Sequence, residues 1–313
     1  MTNLSEFTFL SSDGKTQLHG MLWEPEGVAV HAVLQICHGV AEHIARYDGF
    51  ARALNEQGIV VAGHDHLGHG KSLPEGGTPV YFGDGNTWNT VVDDIYVLHQ
   101  RLKQRYPDVP LCIMGHSMGS FLTRTYLIRY PGTVKAAVIM GTGWQPRAAI
   151  TGGLALANAI AAVSGENATS ELVTELAFGS YNKLFAPNRT KVDWLSADES
   201  NVDDYIADPL CGADATVGLF RQMLHGIRFN QRQSHLRQMD REMPVLFVAG
   251  DKDPVGNCGK GVRQTYDAFR AAGMRDCTLK LYPGLRHEIL NEKAYTADIT
   301  KNIEAWLLSR LEK

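Results

Sequence analysis

A serine bracketed by two glycines is the first group in this sequence that could do chemistry. Ser117 stands between Gly115 and Gly119 in LCIMGHSMGSFLTRTYL, where a short apolar run gives way to a helix-like stretch. A Gly-x-Ser-x-Gly turn between a buried strand and a helix is the nucleophile elbow, which exposes the serine hydroxyl at the carboxyl edge of a sheet. The glycines leave room for the neighbouring strand and helix. We therefore expect Ser117 to be a nucleophile.

A serine hydroxyl attacks poorly unless a base takes its proton and a third group orients that base. In sheets with a nucleophile elbow, the acid and then the histidine follow the serine along the chain, each in a loop after a strand. Here PVLFVAG is followed by Asp251 and Asp253, and CTLKLY is followed by His287. The order predicts the catalytic triad Ser117, Asp253 and His287. Asp251 is the rival acid, and we expect its side chain to cap the turn instead.

Acyl transfer also needs N–H donors for the oxyanion. One is expected to be the N–H of Met118, directly after the serine. The other is expected to be the N–H of Val40, in the His38-Gly39-Val40 loop that follows the run HAVLQIC. Gly39 permits close backbone approach. A plain turn is the alternative for these three residues, but their place after a buried strand favours an oxyanion hole.

Six short apolar runs rich in β-branched residues could position these groups. None alternates strictly, as expected for strands buried on both faces of a parallel sheet. They are HAVLQIC (31–37), GIVVAG (58–63), PLCIMG (110–115), VKAAVIMG (134–141), PVLFVAG (244–250) and CTLKLY (277–282). Amphipathic stretches such as 88–106 separate them, and the alternation predicts an α/β fold with helices on both faces of a mostly parallel sheet. FTFL and LHGMLWEP predict an antiparallel hairpin leading in.

The alternation of strand and helix fails between residues 144 and 240. We therefore expect an α/β-type core in two parts, 1–143 and 241–313, with a helical cap inserted at 144–240. The cap begins with the apolar run AAITGGLALANAIAAV. This run could line an acyl tunnel, lie against a membrane surface or pack as a helix on the core. An apolar tunnel with a polar lip would suit a single acyl chain with a small head group.

Composition narrows the class of protein. The chain has 313 residues, 44% of them hydrophobic, and a net charge of -4, with no basic run that would follow a nucleic-acid backbone. The amino-terminal stretch predicts no secretory signal, and five scattered cysteines predict reduced thiols. The most apolar segment, which starts at Ala148, is short and glycine-rich for a membrane span. We expect a soluble, cytoplasmic globular protein.

A histidine-rich stretch, HDHLGHG at 64–70, resembles a metal-binding motif at first sight. Metallo-hydrolases with a His-x-His-x-Asp-His pattern need an aspartate where this chain has Gly68. We therefore expect no metal and no organic cofactor. A hydrogen-bonded turn that supports the adjacent oxyanion loop is the simpler interpretation of this stretch.

Five motifs together carry a resemblance to a known family. HGVAEHIARY (38–47), GHDHLGHGKS (63–72), GHSMGS (115–120), GDKDP (250–254) and YPGLRHEIL (282–290) resemble monoacylglycerol lipases and bacterial lysophospholipases, which are serine hydrolases of the α/β-hydrolase fold. The resemblance covers both core parts and NKLFAPNRTKVDWLSADES in the cap. It implies the same triad and the same oxyanion donors, Val40 and Met118.

Two positions depart from the family's usual residues, and two others are candidates for substrate contact. Val40 stands where the family often has a small residue, and Ser120 where glycine is common. The family's loop after the oxyanion position lies near the alcohol end of the substrate, which makes Glu42 and Arg46 candidates for substrate contact. A structural Glu42–Arg46 pair at i, i+4 spacing is the alternative.

The sequence therefore predicts a serine hydrolase that cleaves carboxylic esters, with monoacylglycerol or a similar single-chain lipid ester as the preferred substrate. Lysophospholipase, short-chain carboxylesterase and serine aminopeptidase remain alternatives on the same machinery. An aminopeptidase would need acidic groups for a free amine, and SADESNVDD in the cap is a candidate. A non-catalytic ligand-binding module is a more distant alternative. Transient membrane contact through the cap and the oligomeric state stay open.

Overall fold

The apolar runs form most of one eight-stranded sheet in the computed structural model, which describes residues 1–311. Along the sheet the strands lie in the order β1-β2-β4-β3-β5-β6-β7-β8. The strands are β1 Thr2–Leu10, β2 Gln17–Pro25, β3 Ala32–Cys37, β4 Ile59–His64, β5 Leu111–His116, β6 Ala136–Met140, β7 Val245–Gly250 and β8 Cys277–Tyr282. β1 and β2 form the predicted hairpin, β2 pairs antiparallel with β4, and the remaining pairs are parallel.

Helices cover both faces of this sheet and split the core in two. Neighbouring residues of β3 show the division, since Val33 belongs to the core under α2 and α3 and Leu34 to the core under α1 and α11. The helices are α1 Asp48–Asn55, α2 Thr87–Arg105, α3 Met118–Arg129, α4 Arg147–Ser164, α5 Glu171–Thr174, α6 Ser180–Lys183, α7 Glu199–Ala207, α8 Val217–Asn230, α9 Gln233–Leu236, α10 Lys260–Ala272 and α11 Thr296–Leu311. This is the predicted α/β-hydrolase architecture.

The edge of the sheet departs from the prediction. β3 to β7 are buried along their whole length, as the lack of alternation predicted. β8 was expected to be buried in the same way, but its first five residues are half-buried. Among the described strands β8 pairs only with β7 and lies at the edge of the sheet, which leaves its side chains more accessible than those of the central strands.

The segment predicted as the cap, residues 144–240, carries α4 to α9 and enters the chain between β6 and β7. α4 packs along α8, and α8 packs on α3, the helix behind the elbow. By length and composition alone α4 is a helix that could cross a membrane, with a mean hydropathy of 1.3. Only 17% of it is buried inside the described structure, and Val163 near its end is largely exposed.

Candidate active site

The predicted elbow has the backbone that a nucleophile requires. Ser117 follows β5 with φ 54° and ψ −122°, and α3 begins at the next residue. A Cβ on Gly115 would collide with the carbonyl of Gly119, and a Cβ on Gly119 would collide with the carbonyl of Cys37 in β3. The two glycines are therefore required by packing against the backbone, and the turn holds Ser117 in a conformation that L-residues rarely adopt.

The structure accounts for Ser120, which stands where the resembling family commonly has glycine. Ser120 is fully buried in the first turn of α3. Its hydroxyl donates to the carbonyl oxygen of Ser117 at 2.6 Å. The hydroxyl is therefore satisfied within the turn and adds a bond that holds the elbow closed.

The three residues predicted as a triad meet at the carboxyl edge of the sheet. His287 Nδ1 lies 2.9 Å from Asp253 Oδ1, and both side chains are buried. The N–H of Val255 donates to the same carboxylate oxygen at 2.9 Å, which fixes its orientation. His287 Nε2 has no hydrogen-bond partner among the described residues, and His287 lines the same cavity as Ser117. A base with an unpartnered second nitrogen, in the same cavity as the serine, is what proton transfer from that serine needs.

The rival acid, Asp251, is engaged elsewhere. Its Oδ1 accepts a hydrogen bond from the N–H of Gly284 at 2.8 Å. This bond joins the loop after β7 to the loop after β8, which are the loops that carry Asp253 and His287. Asp251 thus ties two loops together through its side chain, which extends the turn-capping role expected from the sequence.

The loop with the predicted oxyanion donors lies directly beside the elbow. A Cβ on Gly39 would lie 3.1 Å from the Cβ of Ser117, so glycine permits this approach. Val40 and Met118 both line the cavity in front of Ser117. Ala41 follows with φ 52°, which reverses the chain after the loop. Val40 is half-buried and lines the cavities on both sides of Ser117, so its branched side chain stands at their junction.

The histidine-rich stretch supports this loop from behind. The N–H of His66 donates to His38 Nε2 at 2.9 Å, and His38 Nδ1 lies 2.8 Å from the carbonyl oxygen of Gly39. The two imidazole rings are in contact, with their centres 4.2 Å apart and their planes tilted by 36°. Burial lowers the pKa of His38, which keeps the ring neutral with one donor and one acceptor nitrogen. Gly68, at φ 70°, turns the stretch.

One group of three described side chains has metal-ligand chemistry, and the sequence pattern did not reveal it. The ligand atoms of His43, Asp208 and Cys211 lie within 4.8 Å of one another. His43 Nε2 and Asp208 Oδ2 are 2.9 Å apart and hydrogen-bond directly, which accounts for this pair without a metal. Asp208 and Cys211 lie in the cap and His43 in the core, so spacing along the chain carries no signal of this group.

Glu42 and Arg46 form a buried network rather than two free side chains. Arg46 pairs with Glu42 at 3.1 Å and, through both terminal nitrogens, with Glu288 at 2.7 and 2.8 Å. Glu42 also accepts from the N–H of Gly39 and from the hydroxyl of Tyr47. The structural pair is therefore present. Glu42 additionally lines a cavity beside Ser117, and its contact with a substrate stays a prediction.

His116 is a site residue that sequence reasoning missed. Its Nδ1 lies 3.2 Å from Glu42 Oε1, and its Nε2 lies 3.3 Å from the carbonyl oxygen of His287. Burial alone would lower the pKa of His116, but the hydrogen bond and charge of Glu42, the charge of Glu288 and the carbonyl of His287 together raise it. Its place directly before Ser117 was the available signal. His116 holds the loop of the base against the elbow.

Two cavities meet at Ser117, and Val40 and Phe178 also line both. The larger cavity has a volume of about 470 Å³ and is walled by apolar side chains of α4 and α8, among them Ile150, Leu156, Phe220, Met223, Leu224 and Ile227. The smaller cavity, about 260 Å³, carries polar groups from both core and cap, among them Glu42, His116, Lys191, Asp214, His287 and Glu288.

The cap segment proposed as an amine-binding patch lies elsewhere. Glu199, Asp203 and Asp204 of SADESNVDD are not among the residues that line either cavity. Asp203 pairs with Arg189 at 2.6 Å on the cap surface. The start of the cap, by contrast, lines the larger cavity through α4, as one of the three interpretations of that run predicted.

The chain is similar to known hydrolases over nearly its whole length. Residues 29–294 match the family described as Serine aminopeptidase, S33. A monoacylglycerol lipase of Mycolicibacterium smegmatis is 30% identical over 312 residues, which are 98% of each chain. The human monoglyceride lipase is 27% identical over 96% of this chain and 89% of its own length.

Solved structures agree with the sequence relatives. A thermostable carboxyl esterase from Bacillus coagulans, determined in complex with glycerol, superposes with a TM-score of 0.92 and 26% identity, covering 99% of this chain and all of the esterase. A lipase in an open form superposes with a TM-score of 0.88 and 28% identity, again over 99% of this chain. The chain belongs to the Serine aminopeptidase, S33, family of α/β-hydrolases, and it is a carboxylic ester hydrolase similar to monoacylglycerol lipases.

Proposed function

We propose that this enzyme hydrolyses monoacylglycerols or similar single-chain lipid esters through an acyl-enzyme on Ser117. The observation that carries the proposal is the pair of cavities that meet at this serine, one apolar and one polar. An ester of a fatty acid with a small polyol has the same two halves, joined at the bond to be cut. The larger cavity has the size and lining of a small-molecule site.

Acylation begins when Ser117 Oγ attacks the ester carbonyl carbon and passes its proton to His287 Nε2. The carbonyl π electrons move to the oxygen, where the N–H groups of Val40 and Met118 donate to the negative charge. Asp253 holds the imidazole in the tautomer that accepts at Nε2 and stabilises its positive charge. Collapse of the intermediate breaks the bond to the alcohol oxygen, which leaves with the proton from His287.

Deacylation repeats these steps with water as the nucleophile. His287 Nε2 takes a proton from water as its oxygen attacks the acyl carbon, and the same N–H groups stabilise the second oxyanion. The bond to Ser117 Oγ then breaks, and His287 returns the proton to the serine. The fatty acid is released from the larger cavity and the alcohol from the smaller one. The proton that moves in acylation comes from the Ser117 hydroxyl, and the one that moves in deacylation comes from water.

The division of the substrate between the cavities follows from their chemistry. Each buried CH₂ group contributes about 0.8 kcal/mol, so an acyl chain gains free energy by entering the larger cavity. A polyol gains nothing there but can hydrogen-bond with the polar groups of the smaller cavity. The carboxyl esterase that superposes on this chain was determined with glycerol, which supports glycerol as the alcohol.

Lysophospholipid hydrolysis is a second candidate, and one observation favours it. Lys191 is an exposed cation that lines the smaller cavity and could pair with the phosphate of a lysophospholipid head group. Asp214 in the same wall would oppose that phosphate. The two candidates share every catalytic step and differ only in the alcohol.

The deciding experiment compares kcat/KM of the wild type and Ser117→Ala on four substrates: a long-chain monoacylglycerol, a lysophosphatidylcholine, a short-chain nitrophenyl ester and an aminoacyl amide. We expect the monoacylglycerol to lead and the variant to lose several orders of magnitude. A lead for the lysophospholipid selects the second candidate. A lead for the short ester or the amide refutes the lipid proposal, and an active Ser117→Ala refutes the mechanism.

A further inference from the structure

α8 has a second face, lined by basic side chains, separate from the face that walls the larger cavity. Phe220, Met223, Leu224 and Ile227 point into the larger cavity. Arg221, His225, Arg228 and Arg232 repeat at i, i+4, i+7 and i+11, which places them on a different stripe of the helix and its end. These four basic groups line another cavity, of about 470 Å³, between α8 and the start of α2. We call it the arginine cavity.

The charge of the arginine cavity is unbalanced. No aspartate or glutamate is among the described residues that line it. Arg221 pairs with Glu166, which lies outside the cavity lining. Arg228 and Arg232 are exposed, and neither forms a salt bridge with another described residue. Burial and the neighbouring charges of Arg228 and Arg221 lower the pKa of His225, as expected where positive charge accumulates.

The walls of the arginine cavity are fixed by packing. Gly226 lies against the indole of Trp88, and a Cβ there would collide with that ring, so α8 and α2 are in close contact. Gln222 donates a hydrogen bond from its side-chain amide to the carbonyl of Gly85. Trp88 itself donates to Thr125 in α3 at 3.0 Å. The cavity is therefore a built concave surface between two anchored helices, whose polar rim includes the amides of Asn86 and Asn89.

We propose that the arginine cavity binds a phosphate monoester, with Arg228 and Arg232 as its principal ligands. Guanidinium groups match the geometry of phosphate oxygens and donate two hydrogen bonds at once. Arg228 also donates to His225 Nδ1 at 2.9 Å, which orients its guanidinium beside the cavity. The amides of Asn86 and Asn89 supply neutral donors on the opposite wall. The phosphate belongs either to a soluble metabolite or to the head group of a phosphatidic acid.

The arginine cavity is separate from the ester-cleaving site, and the phosphate-binding proposal does not depend on the proposed function. α8 nevertheless separates the two, because it carries apolar side chains into the larger cavity and basic ones into the arginine cavity. The proposal concerns binding, and its test needs no catalytic measurement.

The test is isothermal titration calorimetry of the whole chain with inorganic phosphate. The variant is the double substitution Arg228→Gln and Arg232→Gln, and its control is Arg237→Gln with Arg263→Gln, two exposed arginines outside the arginine cavity that remove the same charge. We expect one phosphate per chain in the wild type and control, and at least a tenfold higher Kd in the variant. Equal weakening in both double variants overturns the proposal, and so does a wild type that neither saturates with phosphate nor needs phosphatidic acid to bind vesicles in the second arm below.

A second arm separates the two sources of the phosphate. Co-sedimentation is measured with vesicles of phosphatidylcholine alone and with one-fifth phosphatidic acid. Sedimentation that needs phosphatidic acid and is lost only in Arg228→Gln/Arg232→Gln supports the site and assigns a lipid head group. Phosphate binding that is lost in this variant, with vesicle binding equal in all three proteins, supports the site and assigns a soluble phosphate. Unfolding temperatures of the three proteins verify that each is folded.

Discussion

His116 Nε2 lies 3.3 Å from the carbonyl oxygen of His287, so the residue before the predicted nucleophile holds the loop that carries the predicted base. The other nitrogen of His116 lies 3.2 Å from the carboxylate of Glu42, which also accepts from the N–H of Gly39 in the oxyanion loop. One buried imidazole thus connects the elbow, the oxyanion loop and the base loop. Both of its nitrogens face acceptors, which favours the doubly protonated form.

The raised pKa of His116 predicts a pH-dependent contribution to stability. Because the folded-state pKa exceeds the unfolded one, the imidazolium stabilises the fold fully below about pH 6.5, and this stabilisation is lost as the pH rises through the folded-state pKa. His116→Asn should therefore lower the free energy of unfolding more at pH 6 than at pH 9. Urea titrations at both pH values measure this, with the exposed His31→Asn as control. An equal loss at both pH values would show that His116 is neutral.

The two neighbouring aspartates should separate activity from stability. Asp253→Asn should lower kcat by about 10⁴, because the asparagine favours the wrong tautomer of His287. Asp251→Asn weakens only the bond to the N–H of Gly284 and should cost about 1 kcal/mol of stability with kcat nearly unchanged. Steady-state kinetics and urea unfolding of both variants check this. The reverse pattern would make Asp251 the acid.

Gly119 and Gly152 offer a matched pair of helical glycines. Gly119→Ala would press a methyl group into the carbonyls of Cys37 and His38, and we expect a loss of about 3 kcal/mol or more. Gly152→Ala in α4 meets open space and should be neutral or stabilising by up to about 1 kcal/mol. Thermal and urea unfolding measure both. If the two variants are equally stable, the elbow is less tightly packed against β3 than the approach of Gly119 to the carbonyl of Cys37 implies.

The larger cavity should set the selectivity for acyl-chain length. Leu224→Trp adds bulk to its α8 wall. We expect kcat/KM for a long-chain monoacylglycerol to fall at least tenfold, since the lost burial of two or three CH₂ groups is worth about 2 kcal/mol. Activity on a butyrate ester should change little, because a short chain does not reach the altered wall. Equal losses on both esters would place the acyl chain elsewhere.

Much of the fold could be predicted because its signals are local. The run GIVVAG, predicted at 58–63, forms β4 at Ile59–His64, and the others are displaced by one or two residues at most. The triad could also be predicted from the sequence, because parallel strands end at one edge of the sheet and bring distant loops together there. Each of those three loops then offered only one or two residues able to act as nucleophile, acid or base.

Other features depend on contacts that no local pattern encodes. Arg46 pairs with Glu288, which lies 242 residues further along the chain, and the sequence suggested only its nearer partner Glu42. The smaller cavity mixes core and cap side chains, so its lining depends on how the cap packs. The exposure of β8 follows from its place at the sheet edge, which is set by its pairing with β7 and not by its own run of residues.

The cap enters the chain after the elbow and before the loops of the acid and the base. When Ser117 and its helix have emerged from a ribosome during synthesis, Asp253 and His287 have therefore not yet been synthesised. The serine has no partner to take its proton until β7 and β8, whose loops carry Asp253 and His287, join the sheet. Hydrolytic competence should thus appear late in synthesis and all at once, and a chain that stalls within the cap would be inert towards esters.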